Sequence, residues 1–306
     1  MNVRLSIMKK QRSSLKKGEN IVGWAFVAPT MLIFFVLTAF PFFFSIFLSM
    51  ADWKFFNGWD KLKFVGLENF VELFEDEDFW NAMKNTIIYT VTIVPLSIGI
   101  SIVFAYGMNG RIFGKKVLRM LFFIPYISSM VAVGAVFRML FREEAVVNNL
   151  LLDLNLISEP IKWAINAKLS KVPIILLSVW CSIGYQLILF TAAMQNVPNG
   201  LYEAARIDGA NGLQQFIKIT LPMISPTIFY LVITRTMSVL KIFGSVNVFT
   251  MNTSTKSNTS VVVDIYNTAF VKYDFGPASA MSMILFVLVM VVTAINFWGQ
   301  KKWVHY

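Results

Sequence analysis

Polar side chains set into long apolar runs are the residues whose type and spacing could do chemistry in this 306-residue chain. Ser178, Ser182 and Tyr185 stand at i, i+4 and i+7, on one face of a helix, with Cys181 alongside. Thr234, Arg235, Ser238, Lys241 and Ser245 fall within about 60° of Ser238 on a regular helix, and the opposite face is apolar. Such stripes suit hydrogen bonding to a polar solute or packing between helices. Arg235 stands apart, because a guanidinium deep in an apolar run is costly and faces a cavity or a partner. Lys84 and Lys241 lie near the ends of their runs, where a long stem lets the ammonium reach water. None of this breaks bonds. The chain has no HExxH, no GxSxG and no carboxylate pair within an apolar run. Gly110-Arg-Ile-Phe-Gly114-Lys115-Lys116 has one residue too few between its glycines for a phosphate loop and no Ser or Thr after the lysine. It reads as a basic turn.

The elements that carry these residues follow from composition. The chain is 57% apolar and 14% charged, with a mean hydropathy of +0.64. An ordinary soluble domain is about a quarter charged, so this chain reads as a polytopic membrane protein. One Cys and one His exclude a disulfide framework and leave no Cys/His metal site. A helix crosses the hydrocarbon with about 20 mainly apolar residues. Six stretches qualify: Ile21–Met50, Lys84–Met108, Val117–Leu140, Val172–Ala193, Pro222–Phe243 and Ala278–Trp298. The expected fold is all-α, with a basic segment at 1–20, a six-span domain at 21–298 and a tail at 299–306. Pro29 and Pro41 predict a kink or an entry turn in the first span. That span is too long for the apolar region of a signal peptide and no small-residue cleavage site follows, so it is read as retained.

Charge sets the orientation. Residues 1–20, 109–119, 194–221 and 299–306 together hold 14 Lys/Arg and 3 acids, whereas 51–83, 141–171 and 244–277 hold 9 Lys/Arg and 14 acids. Lys/Arg excess in short loops marks the cytoplasmic side, so both termini are expected there. The net charge of +10 is then a topology signal, not a nucleic-acid footprint. The acidic, aromatic segment Lys54–Lys84, with Glu75-Asp76-Glu77-Asp78 before Phe79-Trp80, reads as a solvated face with interfacial aromatics, or a rim for an outer partner. Gly244–Pro277, with the polar run Asn252–Ser260, reads as a loop. The six spans contain no acid, so a carboxylate proton relay has no candidate.

The segment 196–222 joins spans four and five. Pro198 and Asn199 suit a helix start, Gly209 and Gly212 a turn between two short helices, and Pro222 the opening of the next span. Leu201, Ala204 and Ala205 on one piece, with Leu213, Phe216 and Ile217 on the other, give a hairpin with apolar faces. Such a hairpin suits a partner's groove or the membrane surface. Glu203-Ala204-Ala205, then Asp208-Gly209-Ala210, then Leu221-Pro222 thirteen residues after Asp208 resembles the signature loop of bacterial ABC-importer permeases. Ala28-Pro29, Phe64-Val-Gly-Leu-Glu-Asn-Phe70, Phe79-Trp-Asn-Ala-Met-Lys-Asn-Thr86 and Ile124-Pro-Tyr126 extend the resemblance along nearly the whole chain. It is closest to the carbohydrate branch, in the type of the larger permease of the maltose importer.

The resemblance implies a non-catalytic subunit in the bacterial cytoplasmic membrane that moves a mono-, di- or oligosaccharide by alternating access. Its partners would be a second homologous permease, two cytoplasmic ATPase subunits that bind ATP and Mg, and an extracytoplasmic solute-binding protein. It has no cofactor of its own and no nucleic-acid partner. Glu203, Ala204, Ala205, Asp208 and Gly209 would form the ATPase-coupling element, with Glu203 meeting the ATPase and Gly209 making the turn. The family's sugar contacts fall on Tyr126, Ser178, Cys181, Ser182, Tyr185, Arg235 and Ser238. Tyr126 and Tyr185 match the maltose-type residues, whereas Ser182 and Arg235 do not, which points away from maltose. Arg235, with Lys241, suggests an acidic, uronate-containing sugar; pairing with a partner subunit or gating the pore are its other readings. A permease for a non-sugar solute and an ion-coupled secondary transporter are the rival functions.

Overall fold

The computed structural model describes residues 22–110, 114–251 and 253–303, the last three by their backbone only. In chain order the helices are α1 (Val22–Ser49), α2 (Glu68–Glu75), α3 (Glu77–Asn109), α4 (Lys115–Ile127), α5 (Met130–Leu140), α6 (Val146–Asp153) and α7 (Lys171–Gln195). They continue with α8 (Asn199–Ile207), α9 (Gly212–Met223), α10 (Ser225–Leu240), α11 (Gly244–Thr250), α12 (Val261–Val271) and α13 (Phe275–Trp303). Two short strands, β1 (Ala51–Asp52) and β2 (Lys63–Phe64), pair antiparallel. α1, α3, α7 and α13 are each long and apolar enough to cross a bilayer; α4 with α5, and α9 with α10, make two more spans if each bent pair is counted as one. The basic segment 1–20 lies outside the described residues, as does 304–306 of the expected tail 299–306, whereas residues 299–303 continue α13.

Two of the expected spans are bent. The third turns by 102° between α4 and α5. Pro125 removes a backbone donor in the last turn of α4, and Ser128 and Ser129 are extended. The fifth turns by 67° at Ile224, between Pro222 and Pro226, and α10 then stops at Leu240 rather than running to Phe243. In α1, Pro41 is accommodated by a π-helical stretch, Phe35–Ala39, rather than by a break.

The segments read as loops are largely ordered. α3 begins at Glu77, well before Lys84, because Asp76 caps it through Asp78 N at 2.8 Å and Glu77 and Asp78 complement its dipole. The acidic run is thus a helix start. Phe79 is not interfacial but fully buried, packed with Leu73, Met83, Val261 and Leu285. Gly244–Pro277 contains α11, α12 and the first turn of α13, and its polar stretch is laced onto α3. Asn85 Nδ2 donates to the Lys256 and Thr259 carbonyls, each at 2.9 Å. Tyr89 Oη donates to the Asn258 carbonyl at 2.8 Å, and Asn258 Nδ2 to the Ala164 carbonyl at 2.9 Å. Asp264, counted among the acids of the segment 244–277, lies in the apolar helix α12; burial raises its pKa, opposed by Lys272.

α3 is the axis of the fold, packed against α7 and α10 around Tyr89, Ile93, Ile98, Ile174, Leu187, Phe190 and Leu231. α1 is the reverse: only 6% of its most apolar window is buried, so lipid or another chain must cover it.

Asn258 is fully buried and its amide spans two segments, so Asn258→Ala should destabilise the fold by about 1–3 kcal/mol. A clear drop in the thermal midpoint of the detergent-purified protein checks this, and an unchanged midpoint contradicts it.

Candidate functional site

The bends bring three elements around one cavity. α4 ends at the 102° turn and leaves Tyr126 in its last turn. α7 runs past it with Ser178, Cys181, Ser182 and Tyr185 on the facing side. α10 closes the other wall with Thr234, Arg235 and Ser238, and its early end carries Lys241, Ile242 and Phe243 across the space. The cavity has a volume of 440 Å³, inside the range of about 300–1,000 Å³ that small-molecule sites occupy. All seven residues expected at the substrate site line it.

Close approach of α4 to α7 sets the aromatic wall. A Cβ on Gly184 would collide with the Phe122 carbonyl oxygen, so only glycine lets the helices meet there. The Tyr126 and Tyr185 rings stack at 5.3 Å and 19°, and Tyr185 Oη lies 3.4 Å from Tyr230 Oη. The polar wall is already partly engaged. Ser178 Oγ donates to Ser245 Oγ at 2.9 Å, and Ser182 Oγ donates back to the Val179 carbonyl at 2.7 Å. Arg235 Nη2 donates to the Ser178 carbonyl at 2.7 Å, whereas its Nε is buried without a partner among the described residues. A dry, unpaired guanidinium donor is expensive and calls for an acceptor. Lys241 caps the C-terminus of α10, where a cation is favoured, and its side chain also lines the cavity.

Ser245 was expected on the helix of Ser238; it belongs instead to α11 and returns to the cavity by tertiary contact with Ser178. Tyr230 and Gln186 were not foreseen. Tyr230 stands four residues before Thr234, a signal the stripe contained. Gln186, only 2% exposed, is an amide within a span, which is itself a flag.

The segment 196–222 is a helical hairpin. α8 starts after Pro198 and ends in a Schellman turn: Ala210 N donates to the Ala205 carbonyl at 2.8 Å, and Gly209 N to the Arg206 carbonyl at 3.1 Å. Gly209 has φ +79°, as that turn requires, and Asp208 is the C-cap. α9 opens with a capping box between Asn211 and Gln214. Glu203 and Ala204 are exposed and Ala205 is half-buried. Ile207 and Leu213 are 86% and 66% exposed, so the hairpin presents apolar residues outward. Phe216, expected on that outer face, instead turns inward onto Tyr106. Glu203 borders a 540 Å³ hollow with Tyr106, Asn199, Tyr202 and Arg206, and no ion pair engages it among the described residues.

The family model of binding-protein-dependent transport system inner membrane components matches residues 97–304. The lactose transport system permease protein LacF of Rhizobium radiobacter is 34% identical over 295 residues, covering 95% of this chain and 98% of that one. A probable ABC transporter permease protein, YesP of Bacillus subtilis, is 35% identical over 303 residues, covering 98% and 96%. Among solved structures, a chain of a bacterial ABC transporter involved in the import of the acidic polysaccharide alginate superposes with a TM-score of 0.81 at 23% identity, covering 95% of this chain and 99% of that one. At that identity the likeness shows a shared fold.

Gly184 sets the α4–α7 contact, so Gly184→Val should push α4 outward and separate Tyr126 from Tyr185. Cys181, the chain's single cysteine, reports this directly: thiol labelling in the purified protein should change markedly in rate. An unchanged rate would show that the close approach does not shape the cavity.

Proposed function

The chain belongs to the family of binding-protein-dependent transport system inner membrane components, and from that premise we propose that it is a sugar-importing permease with an anionic saccharide as cargo. The observation that carries the proposal is the cavity itself. Stacked tyrosine rings suit the apolar faces of a sugar, serine hydroxyls suit its edges, and the positive charge of Arg235 in the cavity wall suits a carboxylate. The lactose permease relative supports the saccharide class. Arg235, beside Lys241, supports the acidic member of that class.

Transport then runs as follows. A solute-binding protein delivers the sugar on the outer side of the bacterial cytoplasmic membrane. Tyr126, Tyr185, Ser178, Cys181, Ser182, Ser238 and Arg235 hold it at mid-membrane, facing a second homologous permease. Two ATPase subunits, which bind ATP and Mg, dock on the hairpin 196–222. Its outward apolar residues and Glu203 form the contact, and Gly209 and Asp208 shape the turn. The exposed surface of α1 faces lipid and the second permease. In this arrangement the hairpin end, with both termini, is cytoplasmic. The chain itself carries out no hydrolysis.

Two measurements on the reconstituted complex test the proposal. Arg235→Gln removes a charge-assisted contact, so uptake of a uronate-containing disaccharide should fall about 10- to 100-fold while a neutral disaccharide is little affected; equal loss of both would sink the acidic reading. Glu203→Lys should abolish ATP-driven uptake in proteoliposomes although the permease still assembles. Unchanged uptake would remove Glu203 from the coupling contact, and uptake without ATP would favour an ion-coupled transporter.

A further inference from the structure

A hairpin moved by an ATPase must act on a cavity several helical turns away, and its covalent links are poor levers. Between α7 and α8 the helix is interrupted at Asn196–Pro198, and α9 meets α10 at a 67° bend. The unbroken element reaching from the hairpin to the level of the cavity is α3, a single helix of 33 residues. At its hairpin end, Tyr106 Oη donates to the Gly212 carbonyl at 2.9 Å, and its ring lies 4.4 Å from that of Phe216. Tyr202 and Thr220 tie the two arms of the hairpin at 2.9 Å, so the hairpin bears on Tyr106 as one piece.

Higher on α3, two serines grip an amide of α7. Ser101 Oγ donates to Gln186 Oε1 at 2.9 Å, and Gln186 Nε2 donates to Ser97 Oγ at 3.3 Å. Ser97, Ser101 and Gln186 are buried, and they lie among apolar neighbours of the main core. In so dry a place, breaking the bridge leaves an amide unpaired, so α3 and α7 are held to a common motion at this level. Gln186 lines the substrate cavity and adjoins Tyr185 in the chain. Ser97 and Tyr106 are about 14 Å apart along α3, with no proline between them.

We infer that Tyr106 and the Ser97–Ser101–Gln186 bridge form a mechanical relay through which the hairpin moves the cavity wall. They are positioning residues: Tyr106 is not among the residues that line the cavity, and both polar groups of the Gln186 side chain are engaged by α3. The inference rests on the reading of 196–222 as the ATPase-coupling element. It also explains why a span carries a glutamine whose amide turns from the cavity into the core.

The test is sugar imported per ATP hydrolysed, in proteoliposomes of the complete complex supplied with binding protein. Tyr106→Phe keeps the ring and loses the hydroxyl. Gln186→Leu removes the bridge, and the serines left behind can bond to their own helix, as Ser97 Oγ already does to the Val94 carbonyl. Each variant should lower the ratio about fivefold or more, the scale of a modest coupling free energy. Because both act on one path, the double variant should be no worse than the weaker single one. Tyr106 lies on the periphery, so its variant keeps the test informative if Gln186→Leu assembles poorly. A wild-type ratio in Tyr106→Phe, alongside a collapsed ratio in Glu203→Lys, would overturn the relay and leave the coupling role of the hairpin standing. Independent, multiplying losses in the double variant would also overturn it. A wild-type ratio in Glu203→Lys would instead overturn the coupling contact assigned to Glu203.

Discussion

Hydrocarbon offers no water to a polar group, and this structure depends on how its buried donors and acceptors are satisfied. Helices absorb their own backbone groups, so what remains are the side chains. Within the spans, the Gln186 amide is paired with Ser97 and Ser101, and Ser178 with Ser245. Thr86 accepts from Val261 N at 3.0 Å, and Asn85 gathers two carbonyls of the segment beyond α11. These bonds decide which helix faces which, because apolar side chains alone discriminate weakly among packings inside a bilayer. Arginines are exceptions among these helices: Arg119 and Arg138 keep buried nitrogens without an acceptor among the described residues, and Arg235 has one nitrogen bound to a backbone carbonyl and Nε without one. The Arg235 side chain also belongs to the wall of the cavity to which the proposed function assigns the cargo.

The same rule accounts for the irregular backbone. Extended residues are tolerated at membrane depth where they are covered by protein or border a cavity. The turn at Ser128–Ser129 follows the helix that presents Tyr126, and the break at Lys241–Phe243 carries its residues along the cavity wall. Pro125 and the pair Pro222 and Pro226 place the bends beside the helices that form the site. Gly184 then allows α4 to close on α7 and bring the two tyrosine rings together.

The hairpin obeys the opposite condition. It leaves Ile207 and Leu213 exposed, an arrangement that is costly in water and suited to a partner's groove. Its turn is ordered locally, by a Schellman motif at Gly209 and a capping box at Asn211, while Tyr202, Phe216 and Ile219 pack its inner side against the main core. Tyr106 and Phe216 supply one of those contacts, on the side away from the exposed apolar residues.

The family resemblance named the seven cavity residues, Tyr126 among them; the sequence by itself determined the all-α membrane class, the approximate positions of the spans, the hairpin with its turn at Gly209, and the polar stripes through Ser178 and Ser238. These are legible because hydropathy, i, i+4, i+7 spacing and turn chemistry act over short stretches of chain. Pro125, Pro222 and Pro226 mark the bends locally, but the helical content of Gly244–Pro277 and the burial of Phe79 were decided by tertiary structure. So were the move of Ser245 to a separate helix, the turning of Phe216 away from the exposed face and the bridge from Gln186 to α3. Each of these depends on a partner far away in sequence: Asn85 on Lys256 and Thr259, Ser178 on Ser245, Gln186 on Ser97 and Ser101. A polar residue in an apolar run announces that it needs a partner, and only packing in three dimensions selects which one it finds.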